Sequence, residues 1–189
     1  MAVVQLATSA DVAAALGRAL TSEETAKVGA ILDKASELFR TRSGQRFTSG
    51  TSTSRIRNRG GIVSLLQRPV TAVSAVVADD GAAVSYDWDS GRFQFTVEST
   101  EKYVTVTYTH GGTVPDLVRL TVAEIAKKVL TISPSAAAGM TSSMRVSGPF
   151  TDQETYATWA QGAQTMLAPS DDAIALSYRI PIAGPIYNA

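Results

Sequence analysis

At 189 residues the chain is long enough to bury a substantial core, and its 44% hydrophobic content is that of an ordinary globular protein, not of a disordered or membrane-embedded one. Its 17 basic and 17 acidic side chains cancel to a net charge of zero, which argues against a dedicated nucleic-acid binder. The absence of cysteine excludes disulfides, thiolate zinc sites and cysteine nucleophiles; no apolar run matches a membrane span, and the N-terminus MAVVQLATSAD lacks a basic signal region.

The first helix is expected to start at Thr8 or Ser9, whose hydroxyl can cap the free amides that follow. Val12, Leu16 and Leu20 then recur on one face. A second helix begins at Thr21, where T-S-E-E matches a capping box with Glu24 reaching back. Its apolar stripe reads Val28, Ile31, Leu32, Ala35, Leu38 and Phe39, and Gly44 supplies a stop that tolerates the left-handed conformation. Two helices so close in sequence predict an antiparallel hairpin over residues 1–49.

From Gly50 to Thr109 the period falls to two. Strands are expected at Ser52–Asn58, Ile62–Leu66, Val70–Ala78, Ala83–Trp88, Arg92–Val97 and Tyr103–Thr109, separated by glycine-bearing turns at Gly60-Gly61, Gly81 and Gly91. The short spacings favour one antiparallel, meandering sheet inserted between helices.

A third helix follows Pro115, within residues 110–133. Val118, Val122, Ile125, Val129 and Ile132 give it the cleanest amphipathic stripe in the chain, with Asp116 and Lys127-Lys128 placed to suit the helix dipole. Residues 134–168 read as a connector: Pro134–Ser143 as a small-residue linker, Met144–Phe150 as a strand, and the stretch to Thr165 without a clear pattern. In residues 169–189, a short helix capped by Ser170, with Asp171 and Asp172 in its first turn, leads into IPIAGPIYNA. That tail is too proline-rich for a helix and too apolar for a solvated end. The whole is one α+β domain: a small helical bundle, an inserted antiparallel sheet and an extended C-terminal arm.

Chemistry finds little support. His110 is the chain's one histidine, but the G-x-S-x-G elbow of a hydrolase is absent and no serine is singled out. His110-Gly111-Gly112 reads as a bend with a turn or surface histidine. The same glycines could attract an anion at the helix start, yet they lack the lysine of a phosphate loop and Pro115 removes a donor. Asp87, Asp89 and Glu98 sit at calcium-loop spacing, but Arg92 occupies the position that requires glycine, so a hairpin turn is expected. No catalytic, metal or cofactor site is expected.

Charge is nonetheless segregated. Seven arginines and no acid lie between Leu38 and Ala78, and the following segment is acidic, from Asp79 to Glu101. Arg55, Arg57 and Arg59 recur at period two, which would put them on one face of a strand. Solvated edge charges, an intersubunit contact and a lining of a DNA channel are the three readings, in that order.

Three stretches together resemble the phage head-to-tail connector adaptors, the gp6-like and gp15-like proteins, in versions from actinobacterial siphophages. LATSADVAAALGRALTSEETAKVGAILDKASELFRTRSGQRF is similar to the opening hairpin with its glycine-aromatic turn; VTVTYTHGGTVPDLVRLTVAEIAKKV to the strand, Tyr-x-x-Gly turn, Pro and long helix; LAPSDDAIALSYRI to the closing Asp-rich helix with a Tyr-Arg pair. The resemblance implies a structural virion protein, not an enzyme. It would form a dodecameric ring under the portal at the virion neck, assembled in the host cytoplasm. The ring would extend the channel through which double-stranded DNA passes and meet the next neck or tail-completion protein, with no membrane contact. It further implies that the C-terminal segment engages the portal, here through Ile174, Tyr178, Arg179, Ile180, Pro181, Ile182, Ile186 and Tyr187. The alternatives are another neck component, such as a stopper or tail-completion protein, and, more distantly, a hydrolase using His110.

Overall fold

The computed structural model describes residues 4–147, 150–156, 165 and 167–180. The chain is α+β and divides into two compact units, Met1–Arg42 with Asp116–Ser177, and Ser43–Pro115 with Tyr178–Ala189.

The first unit is helical. Helix α1 (Ser9–Leu16) is capped by Thr8: its hydroxyl accepts from the Asp11 amide at 3.3 Å while the Asp11 carboxylate accepts from the Thr8 amide at 2.8 Å. Helix α2 (Ser22–Ser43) opens with the expected capping box, the Glu24 carboxylate accepting from the Thr21 amide at 2.8 Å and the Thr21 hydroxyl from the Glu24 amide at 3.2 Å. Gly44 follows it at φ 69°, the left-handed stop. The stripe Val28, Leu32, Ala35 and Phe39 is buried as the periodicity requires, with Ser36 buried among it. Ser36 is there for a reason: its hydroxyl accepts from the Leu6 amide at 3.0 Å. Gln5 donates to the Gly29 carbonyl at 3.2 Å, so the lead-in to α1 lies along α2.

Helix α3 (Asp116–Leu130) packs against α1 and against α5 (Pro169–Ser177). Val118, Val122, Ile125 and Ala126 are fully buried, whereas Val129 near its end and Ile132 just beyond it are half-buried. The linker expected at Pro134–Ser143 is shorter than its composition suggests. It holds a helical turn, α4 (Pro134–Ala137), and a bend at Gly139, before strand β7 (Ser142–Ser147) pairs antiparallel with β8 (Phe150–Thr155). Helix α5 begins one residue before Ser170, which therefore does not cap it; Asp171 instead reaches back to the Ala168 amide at 3.2 Å.

The second unit is β. The single meander is corrected to two three-stranded antiparallel sheets. One is ordered β1 (Gly50–Arg57), β6 (Tyr103–His110), β3 (Val70–Ala78); the other is β2 (Ile62–Ser64), β5 (Gln94–Val97), β4 (Tyr86–Asp87). Strand β6, last in sequence, is central because its alternate residues Val104, Val106 and Tyr108 are fully buried and need neighbours on both edges. Both sheets contribute to one apolar cluster: Ile56, Val70, Val76 and Val104 from the first, Val63, Phe95 and Val97 from the second. Between β4 and β5 the suspected calcium loop is a turn, with Gly91 at φ 83° and the Trp88 indole donating to the Arg92 carbonyl at 2.7 Å.

Candidate functional site

The joint between β6 and α3 is built on close backbone contact. The Gly111 amide donates to the Pro69 carbonyl at 2.9 Å and the Gly112 amide to the Phe47 carbonyl at 3.3 Å. Gly111 has φ 79°, and a Cβ there would lie 2.1 Å from the Thr48 carbonyl oxygen, so no other residue fits without moving backbone. The chain arriving at Thr48 is itself clamped. Gln45 donates to the Leu66 carbonyl at 3.0 Å and accepts from the Arg68 amide at 2.8 Å, while Gln67 donates to the Gly44 carbonyl at 2.9 Å and accepts from the Arg46 amide at 2.7 Å. Sequence reasoning passed over both glutamines, since nothing in their spacing announces a reciprocal pair. The burial of Gln45, 4% exposed, is the only signal and it belongs to the fold.

His110 is neither a turn nor a surface residue. It ends β6 on the inward side of the alternation that buries Val104, Val106 and Tyr108, and it is 2% exposed. Its Nε2 lies 2.8 Å from the Ser52 hydroxyl, while its Nδ1 and the Tyr108 hydroxyl are buried without a hydrogen-bond partner among the described residues. Burial pushes the imidazole below its ordinary pKa, helped by the nearby Arg46 charge. A hydrolytic Ser-His pair needs an acceptor at Nδ1 to orient the ring. Among the described residues none stands there, and the Ser52 hydroxyl meets the other buried ring nitrogen. Among the described residues no cluster of three or more His, Asp or Glu side chains could hold a metal ion, and no helix is long and apolar enough to cross a membrane.

Asp171 and Asp172 belong to the helical unit and Tyr178 to the β unit. In the helical unit, Asp171 is 4% exposed and accepts from Lys128 Nζ at 2.8 and 3.0 Å. Asp172 receives the Arg42 guanidinium through two of its nitrogens, Nη2 at 2.7 Å, and that bond holds its carboxyl below the usual range. In the β unit, the Tyr178 ring meets Phe47 edge to face, centroids 5.4 Å apart. Phe47 adopts φ 63°, a left-handed conformation that costs a non-glycine residue on the order of 1 kcal/mol or more, and it is buried there. Of the residues expected to engage a portal, Ile174 and Tyr178 are half-buried in the chain's own fold, Arg179 is exposed and Ile180 half-buried. Pro181, Ile182, Ile186 and Tyr187 lie outside the described residues.

Of the arginine row, Arg55 and Arg57 project from the outer face of β1, and Arg59 lies beyond the strand in the turn that Ile62 closes. Arg55 donates through Nε to Asp79 at 2.9 Å and lies 4.1 Å above the Tyr103 ring, so its acidic neighbour comes from its own chain. Arg57 is exposed and meets no carboxylate among the described residues.

No protein-family model matches the chain, and no curated protein does. Among solved structures it is similar to a chain from the neck of an empty GTA particle computed with C6 symmetry, at 18% identity and a TM-score of 0.45, over 68% of this chain and 78% of that one.

Proposed function

We propose that this chain is a structural protein of a phage-like neck, a head-to-tail adaptor that forms a ring below the portal and continues the DNA channel toward the tail. The observation that carries the reading is how the three family-like stretches meet. In the helical unit the second stretch reaches the first through Arg119 and Asp11, and the third through Lys128 and Asp171. The first and third join through Arg42 and Asp172. In the β unit the Tyr-x-x-Gly turn is fitted to the glycine-aromatic turn at Thr48, and that turn's Phe47 meets Tyr178. Helix and turn grammar recurs by chance more readily than such a set of mutual contacts.

On this reading the contacts at Asp171, Asp172 and Tyr178 fix the base of an arm whose apolar residues Ile180, Pro181, Ile182, Ile186 and Tyr187 lie along a groove of the portal. The ring is dodecameric, it also meets the next neck protein, and the chain performs no catalysis. Deleting residues 180–189 is expected to keep the fold, with at most a small drop in melting midpoint from the loss of half-buried Ile180, and to abolish co-sedimentation with portal rings; retained binding would overturn the arm's role. The amount of β-structure favours one second reading, another neck component such as a stopper. Electron micrographs of the assembly separate the two, because the adaptor reading requires twelve-fold rings seated on the portal.

A further inference from the structure

The β7–β8 ribbon pairs with no strand but itself among the described residues, and the side chains of Thr151 to Thr155 are all exposed. Met144, across from Gln153, is 67% exposed. A two-stranded ribbon is marginal alone in water, and an open edge beside a large exposed apolar side chain is a place where chains pair. On β8, Asp152 and Glu154 are two residues apart and so share a face, standing across from Arg145 and Ser143. Glu154 accepts a hydrogen bond from Tyr156 Oη at 2.8 Å and meets no cation among the described residues.

In the β unit, β1 is a terminal strand of its sheet, with Arg55 and Arg57 on its exposed face at the same two-residue spacing. Asp152 stands across from Arg145 and Arg55 is held by Asp79, which leaves Glu154 on one open edge and Arg57 on the other without an opposite charge among the described residues. We propose that the β7–β8 ribbon of one copy adds to the free edge of β1 in a second copy, setting Glu154 against Arg57. The inference rests on the ring reading and names its intersubunit contact. Backbone hydrogen bonds hold the pair, while the charges set register and reject wrong partners. Because the two patches differ, the contact is head-to-tail and propagates into a ring or filament instead of stopping at a dimer.

The cysteine-free sequence makes the test direct. The double variant Arg57→Cys with Glu154→Cys, oxidised at high protein concentration and on portal rings, is expected to give a ladder of covalent oligomers, whereas each single variant stops at a dimer. Glu154→Arg or Arg57→Glu alone is expected to weaken self-association at least tenfold by sedimentation, and the two combined to restore it, with circular dichroism unchanged throughout. Wild-type rings or filaments that persist in both single reversals and give no ladder would overturn this contact while leaving the ring reading in place. Wild-type protein that stays monomeric, both alone and on portal rings, would overturn both. A ladder only in mixtures with portal, containing portal, would assign the ribbon to that partner and overturn the second-copy contact.

Discussion

The two units are held together by different means. The helical unit has apolar helix faces on α2 and α3, and charged side chains tie its helices together: Asp11 with Arg119, Arg42 with Asp172, and Lys128 with Asp171. The β unit has a continuous apolar cluster drawn from two sheets, and its loops are fixed by backbone approach, at Gly111 against Thr48 and through the paired glutamines. The contrast teaches where each unit is vulnerable. The helical unit should fail through lost burial or an orphaned charge, the β unit through an added atom.

The largest expected effect is in the helical unit. Ile125→Asp places an unpaired carboxylate at a position fully buried on α3 and should cost about 4 kcal/mol or more, read as a lower denaturation midpoint. A variant that melts like wild type would remove α3 from the core. Next, Gly111→Ala should cost about 3 kcal/mol, since it combines a left-handed φ with a backbone collision, whereas Gly81→Ala, at φ 90° with open space around it, should cost only about 1 kcal/mol. Equal losses at the two glycines would mean that the close approach at Thr48 does not matter.

Lys128→Met should cost about 2 kcal/mol by leaving Asp171 buried without its cation, less than for a wholly orphaned charge because the Ala168 amide still binds it. Hydrogen exchange should then rise over α3 and α5 and not over β1, β3 or β6. Exchange spreading equally through both units would erase the distinction between them.

The smallest effect is expected from acid, and it should reach the units in sequence. His110 has its pKa depressed by burial below the ordinary 6.5, so the unfolded chain binds the proton first. Its contribution is complete above pH 6.5 and declines as pH falls through the folded value, weakening the β unit first. Glu24 is held down to about 2 from 4.5, chiefly by the Arg18 hydrogen bonds and then by the Thr21 amide. Its contribution to the helical unit is complete above pH 4.5 and is lost only as pH falls toward 2. Asp11 acts in the same direction: burial alone would raise it, but the hydrogen bonds from Thr8 and Arg119 outweigh that and hold it low. His110→Gln should flatten the stability profile between pH 7 and 5; an unchanged slope would show that another group titrates there.

Legibility followed the range of the interaction. A hydroxyl cap at Thr8 or Ser9, the capping box at Thr21, the stop at Gly44 and the α3 stripe were legible because each is decided within a few residues; that Thr8 also takes part in a capping box with Asp11 was not read. The edges of β3 were legible from alternation and turn glycines alone. The sheet order was not. Alternation states which side of a strand is buried, but only the joint burial of both sheets decides that β6 lies between β1 and β3. The candidate site divides in the same way. The period-two placement of Arg55 and Arg57 could be read directly, while the claim of Asp79 on Arg55 required the fold. The place of Tyr178 against Phe47 had no local sign at all.

By itself, then, the sequence determined where α1, α2 and α3 begin, where α2 stops, most strand positions and the α+β class, because short-range sterics and periodic burial are written in neighbouring residues. Tertiary structure alone decided that His110 is buried and bonded to Ser52, that Gly111 admits no side chain, and that Asp171 meets Lys128. Each of those depends on a partner between 43 and 63 positions away, and distance along the chain carries no record of which groups will share a buried space.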